Sequence, residues 1–151
     1  MSHARQFCTF YLDHLLFGVE SQKIQEVVGY RDLRPVPLVP VAVSGLMNLR
    51  GQVVLALELR RQLELSDRPA TLTPVCLVVR VAEGEVCLLA DEVGNVVEVE
   101  DGTFEPSPET LGPRLRSMIL GVHKLEHRLM HVLDTDKACE VAAADESGSD
   151  S

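Results

Sequence analysis

His123, His127 and His131 recur at every fourth position. On a helix that spacing would line three imidazoles along one face, where they could bind zinc. The local pattern argues against a helix. Gly121 precedes alternating and β-branched residues, so the run from Ile119 to Leu133 reads as strand, turn, strand, with the turn at Glu126-His127. In that register His123 faces Met130 and Val122 faces His131. Adjacent cross-strand pairs point to opposite sides of a sheet, so the two histidines share no metal. Carboxylates cluster at Asp91-Glu92 and from Glu98 to Asp101. Such pairs could act as general acid and base, but acidic pairs are also common on exposed strands. Cys8, Cys76, Cys87 and Cys139 are scattered with no C-x-x-C pair, and they read as packing or surface thiols rather than as a disulfide framework. The sequence contains no G-x-S-x-G, no glycine-rich phosphate loop, no H-E-x-x-H and no kinase signature. No catalytic residue, metal or cofactor is expected.

The elements that hold these residues follow from composition and pattern. The chain has 151 residues, 46% hydrophobic and 25% charged, which is ordinary globular material rather than a disordered chain. Its formal net charge is −9 and only 4% of its residues are aromatic. A nucleic-acid binder needs a surplus of Lys and Arg, and stacking platforms for single strands, so that class is excluded. The longest uncharged stretch, between Arg34 and Arg50, is broken by Pro35, Pro37, Pro40 and Gly45. A membrane span needs roughly 20 mostly apolar residues, so no direct membrane insertion is expected. No signal peptide is visible, and the expected location is cytoplasmic.

Phe7 to Leu12 and Leu15 to Val19 form an expected hairpin across Asp13-His14. Ser21 to Val28, with Ile24, Val27 and Val28 at helical spacing after a capping serine, predicts one or two helical turns. Pro35 to Pro40 is extended loop. Leu46 to Leu49 and Gln52 to Leu57 flank a turn at Arg50-Gly51, and Glu58 to Leu65 predicts a short helix with Leu59 and Leu63 on one side. Ser66 to Thr73 marks a boundary between two halves. In the second half, Val75 to Val81 and Val86 to Ala90 form a hairpin around Glu83-Gly84. Val93 to Val99 is a strand, Phe104 to Pro113 a loop, and Asp134 to Ala144 a terminal helix. Asp145 to Ser151 is an acidic tail expected to be disordered.

Many short strands, few helices and a mid-chain break predict a mainly β fold, with two small β-barrels packed together. The expected domain covers residues 1–144, with halves at about 6–66 and 74–140 and possible strand exchange between them. From Glu83 to Glu109 there are nine acidic residues and no Lys or Arg. Arg31, Arg34, Arg50, Arg60 and Arg61, against Asp32 and Glu58, give the first half a basic region. Two faces of opposite sign would select and orient protein partners, although solvated strand and loop faces would give the same composition.

The most informative stretch is Ser44 to Val54. Arg50 followed by Gly51 between two apolar strands is held at a tight turn, where a fixed guanidinium would either brace the loop, hydrogen-bond a partner or simply face solvent. The motif Asn48-Leu49-Arg50-Gly51, followed by Val53-Val54 and ending in Leu57-Glu58-Leu59-Arg60, resembles the signature of the CheW family of bacterial chemotaxis coupling proteins. Further matches fall in order. They are the hairpin from Phe7 to Gly18, Lys23 to Val27 with Gly29-Tyr30, Leu89 to Val93 with Val96-Val97, Ile119 to Val122, and Leu133-Asp134. The resemblance covers about residues 6–140. It departs from the family pattern at Leu55, where many members have Pro, at Glu58, where many have Asp, and at Glu126-His127, a turn that often contains Gly.

The resemblance implies two SH3-like β-barrel subdomains around a shared core, with no enzymatic activity and no cofactor. It implies two partners: the regulatory domain of a CheA-type histidine kinase, and the cytoplasmic tip of a methyl-accepting chemoreceptor. It places Ile24, Glu26, Val27, Asn48, Leu49 and Arg50 at or near the receptor-facing surface, with Val75 and Cys76 lining the same groove. Val93, Val96 and Leu120 are implied kinase contacts, each equally suited to the core. Location at membrane-associated receptor arrays would follow. The alternatives are a CheW-like adaptor of another kinase pathway for motility, development or surface sensing, and an unrelated small β-barrel enzyme or metal protein.

Overall fold

The computed structural model describes residues 4–30, 33–82 and 84–140. Strands β1 (Ala4–Leu12) and β2 (Leu15–Glu20) pair antiparallel, Leu12 opposite Leu15, as the alternation predicts. Asp13 takes a left-handed φ of 57° in their turn, a conformation that Asp tolerates. The expected helix over Ser21–Val28 is corrected. Only Ser21–Lys23 make a single 3-10 turn, and β3 (Ile24–Gly29) follows. Ser21 caps nothing; its hydroxyl accepts a contact from the Cys8 thiol at 3.5 Å. Exposure along β3 alternates with a period of two, as a strand with β-branched Ile24, Val27 and Val28 prefers.

The proline-rich connection is a loop, and Arg34 in it exchanges two 2.8 Å backbone hydrogen bonds with Leu46. That contact needs Gly45. Its φ is +151°, and a Cβ there would stand 2.6 Å from the Arg34 carbonyl oxygen. Strands β4 (Val43–Leu49) and β5 (Gln52–Glu58) meet at the expected turn. Arg50 and Gly51 both have positive φ, 52° and 84°, the pattern of a two-residue type I′ turn. Helix α1 (Leu59–Gln62) follows, with the Glu58 side chain accepting from the Arg60 N–H, and both Leu59 and Leu63 are buried.

Strands β6 (Val75–Val81) and β7 (Gly84–Ala90) form the second expected hairpin, though Glu83 lies outside the described residues. Strand β8 (Glu92–Glu100) follows. The expected loop from Phe104 is partly corrected at both ends. Phe104–Glu105 form a two-residue strand β9 against the neighbouring strand, and Pro106 ends it. Pro113 opens helix α2 (Pro113–Ser117), where a first-turn proline loses no hydrogen bond. Strands β10 (Ile119–Lys124) and β11 (Leu129–Leu133) have the expected register, His123 opposite Met130 and Val122 opposite His131. The terminal helix α3 is shorter than expected, Thr135–Ala138, capped by the Asp134 carboxylate. Residues 141–144 of that expectation, and the tail from Asp145 to Ser151, lie outside the described residues.

The fold is mainly β in two sheets. The first has strand order β8-β1-β2-β11-β10-β9 and the second β3-β6-β7-β5-β4. Neither closes into a hydrogen-bonded barrel among the described residues, since β8 and β9 end one and β3 and β4 the other. The chain halves interleave through two parallel pairings, β11 with β2 and β5 with β7. The stretch 66–73 therefore joins two strands of one sheet. Three apolar clusters follow from this. One lies within the second sheet around Met47, Val54 and Val78, one within the first around Phe7, Leu16 and Met130, and the largest joins Phe10, Leu12 and Phe17 to Leu57, Leu77 and Leu88 from the other sheet.

Candidate partner-binding surface

The turn of the Asn48-Leu49-Arg50-Gly51 motif is built from its own side chains. Leu49 is buried and anchors the end of β4, while the Asn48 side-chain oxygen accepts from the Gly51 N–H at 3.0 Å. This bond ties the left-handed backbone, and the Arg50 side chain projects outward. It pairs there with the Glu26 carboxylate. Glu26 lies on β3 and Arg50 at the end of β4, the two opposite edges of the five-stranded sheet. The sheet curls enough for one ion pair to join its edges. The pair remains open to solvent, with the Arg50 side chain 61% and that of Glu26 30% exposed.

Among the implied receptor-facing residues, Glu26, Val27, Asn48 and Arg50 reach the surface. Val27 is exposed but alternates to the other face of β3 from Glu26. Ile24 is half-buried against the shared core. Leu49 and Cys76 are buried within the second sheet's cluster, and Val75 is half-buried against the shared core. Val75 pairs with Gly29, at the far end of β3 from Ile24. The structure thus brings Glu26, Asn48 and Arg50 to one turn, with Leu49 beneath them, and leaves Val75 further along the strand.

The implied kinase contacts do not form one patch. Val93 and Val96 lie on β8 and Leu120 on β10, with β1, β2 and β11 between those strands. Val96 and Leu120 are exposed, and Val93 is half-buried against the shared core. Leu120 and the exposed Phe104 border a cavity of about 250 Å³ that reaches His123.

The two-face reading of charge is corrected at its centre. Arg60, placed in the basic region, is buried and bonded to Asp91 from the acidic run. Arg68, which no motif or spacing singles out, donates to the same carboxylate at 2.9 Å and forks onto Glu58. Burial alone would raise the Asp91 pKa, but hydrogen bonds from Arg60, the Asp13 N–H and Arg68 outweigh it and hold the carboxyl below its ordinary value. Asp91 therefore stays ionised and is unsuited to general acid chemistry. Arg31 and Asp32 lie outside the described residues. On β8 the exposed carboxylates Glu92, Glu98 and Glu100 remain acidic surface, while Asp101 pairs with Arg5 at 2.9 Å.

The other titratable candidates are engaged in packing. Buried His123 contacts the Thr103 hydroxyl at 2.8 Å and lies against the Phe7 and Phe104 rings. His131 Nδ1 is 2.9 Å from the Leu16 carbonyl. A hydrogen bond with Cys76, together with burial, pushes the Cys87 thiol far up, which keeps it out of its reactive thiolate form.

Comparison with known proteins gives a consistent set of relatives. The family described as CheW-like domain matches residues 6–142. The chain is 28% identical over 132 residues to the chemotaxis protein CheW of Rhizobium meliloti, covering 87% of this chain and 85% of that one. It is 26% identical over 138 residues to the CheW of Treponema pallidum, covering 87% and 80%. The crystal structure of the scaffolding protein TtCheW from Thermoanaerobacter tengcongensis superposes with a TM-score of 0.83 at 20% identity, covering 93% of this chain and 95% of that one.

Proposed function

The chain belongs to the CheW-like domain family, and from that premise we propose that it holds a chemoreceptor and a CheA-type histidine kinase in one complex. Its role in chemotaxis is that of a non-catalytic scaffold. A scaffold works by converting the second binding event into an intramolecular one, at an effective concentration set by geometry. That requires separate surfaces on one rigid body. The observation that carries the reading is the Asn48–Gly51 turn, braced from within by Asn48 and presenting the Arg50–Glu26 pair at the surface. This is the receptor-facing surface, and Glu26, Asn48 and Arg50 make the contacts, while Val27 lies exposed on the other face of β3. Ile24, Leu49 and Cys76 support it from the core, and Val75 packs further along, opposite Gly29. The kinase regulatory domain takes the other sheet at Leu120, beside the exposed Phe104, while Val96 is exposed apart from them on β8 and Val93 supports that strand. Binding to the receptor brings the protein to receptor arrays; among the described residues no helix is long and apolar enough to cross a membrane.

Co-purification tests the reading. A tagged chain should retain a CheA-type kinase and chemoreceptors from its own cell, and a kinase from another motility or sensing pathway in their place would move the protein to that pathway. Recovery of neither kind of partner from receptor-containing cells overturns it.

A further inference from the structure

Asp91 is the single residue between β7 of the second sheet and β8 of the first. Its backbone N–H donates to the Tyr11 carbonyl at 3.0 Å, and its Oδ2 accepts from the Asp13 N–H at 2.7 Å, so it grips the β1–β2 turn of the first sheet. Its Oδ1 accepts from Arg60 Nε at 2.9 Å, on α1 at the end of β5, and from Arg68 Nε at 2.9 Å, on the connection to β6. Arg60 continues to the Ser66 and Asp67 carbonyls at 3.0 and 3.3 Å. Arg68 continues to Glu58 at the end of β5. One carboxylate thus joins the first sheet's opening turn to three segments of the second.

The side chains of Asp91, Arg60 and Arg68 are 6%, 4% and 8% exposed. Two arginines and two carboxylates make this buried set neutral. The apolar cluster between the sheets supplies cohesion, but apolar attraction has no direction and tolerates sliding. Arginine forks on a carboxylate do have direction. The other chain crossing between the sheets, the 3-10 turn at Ser21–Lys23, carries among the described residues only the 3.5 Å contact from Cys8 to Ser21 as a side-chain tie, and away from the crossings buried Gln62 on α1 donates to the Ala138 and Glu140 carbonyls at 2.8 and 3.1 Å.

We propose that Asp91 is a positioning residue that fixes the angle between the two sheets, with Arg60 and Arg68 as its arms. Resting on the scaffold reading, this angle sets how a receptor on one sheet and a kinase on the other are held relative to each other. Asp91 touches neither partner and acts only through the geometry of the surfaces.

The test measures the geometry directly. Spin labels go on Arg80→Cys of β6 and Glu98→Cys of β8, in full-length protein with Cys8 and Cys139 replaced by Ser. Pulsed electron resonance then gives the distance distribution between the sheets. Asp91→Asn leaves Arg60 without its counter-charge and is expected to broaden or shift the distribution. To separate a change of geometry from unfolding, the double variant Arg60→Met/Asp91→Asn keeps the buried set neutral, with Arg68 still on Glu58. It is expected to recover thermal stability relative to Asp91→Asn while its distribution stays broad or displaced. The same double variant should bind receptor and kinase singly as the unmutated protein does, and lose receptor-dependent control of the kinase. A distribution indistinguishable from that of the unmutated protein overturns the proposal, as does full coupling despite a changed distribution. If the unmutated protein itself fails to couple, the scaffold reading fails, and the distance measurement still decides the role of Asp91.

Discussion

Replacing Arg50 by Glu separates a contact residue from a structural brace. The structure bounds what the fold loses. The Arg50–Glu26 pair is largely exposed, 61% and 30% by side chain, and exposed pairs contribute about 1 kcal/mol at most. A glutamate in its place turns that attraction into a repulsion of similar size. The left-handed backbone at Arg50 costs much the same for either side chain, and the bond from Gly51 to Asn48 is untouched. The expected destabilisation is about 1–2 kcal/mol, a fall in Tm of roughly 2–8 °C for a domain of this size. Removing one partner of a desolvated polar contact in an interface costs roughly 2–5 kcal/mol, or about 30- to 5,000-fold in affinity. Receptor coupling should therefore be lost by the variant at temperatures where it is fully folded, while kinase binding through the first sheet persists. The assay is receptor-dependent kinase activity and a circular-dichroism melt on the same preparation. An unfolded variant makes Arg50 a brace, and a folded variant that couples normally refutes its role in receptor contact.

Three further outcomes follow from the geometry. Gly45→Ala places a Cβ 2.6 Å from the Arg34 carbonyl oxygen at a φ of +151°, so it should cost about 1–3 kcal/mol, and urea unfolding with an unchanged midpoint would show that the Arg34–Leu46 bridge gives way freely. Burial holds the His123 pKa below its ordinary 6.5, with Asp101 opposing the shift and Arg5 adding to it. The unfolded chain then takes up the proton first as pH falls, so stability drops below about pH 6.5 and levels off once the folded value is passed; His123→Phe should flatten that slope in urea titrations, and an unaltered slope contradicts the assignment. Elemental analysis of purified protein should find no stoichiometric zinc, because His123 and His131 sit on adjacent cross-strand pairs and contact Thr103 and Leu16; one zinc per chain, lost when both are replaced by Ala, refutes that.

The strands were legible in the sequence because alternation, tight turns and β-branched residues agreed locally at Phe7–Val19, Leu46–Leu57, Val75–Ala90 and Ile119–Leu133. The register that sets His123 opposite Met130 followed from the Glu126-His127 turn alone. Ser21–Val28 misled because Ile24, Val27 and Val28 satisfy both a helical and a strand period, and only pairing with β6 decides between them. The interleaving of the halves was not legible, since the β2–β11 and β5–β7 pairings are parallel and join distant segments. Composition placed Arg60 and Asp91 on opposite faces. They are partners across 31 residues of chain, and nothing local to either predicts that contact. The motif turn was visible as a constrained Arg-Gly pair, but the sequence did not show that Glu26 meets it from the opposite sheet edge.

The central claim is that this chain places a kinase under receptor control. Reconstitution of a CheA-type kinase and chemoreceptor signalling domains from the same cell, with and without the purified chain, tests it most directly. The account predicts that kinase autophosphorylation responds to receptor state only when the chain is present, and that the response saturates as the chain is titrated in. A kinase and receptors that couple through another member of the family, but give no response at any concentration of this chain, would contradict it.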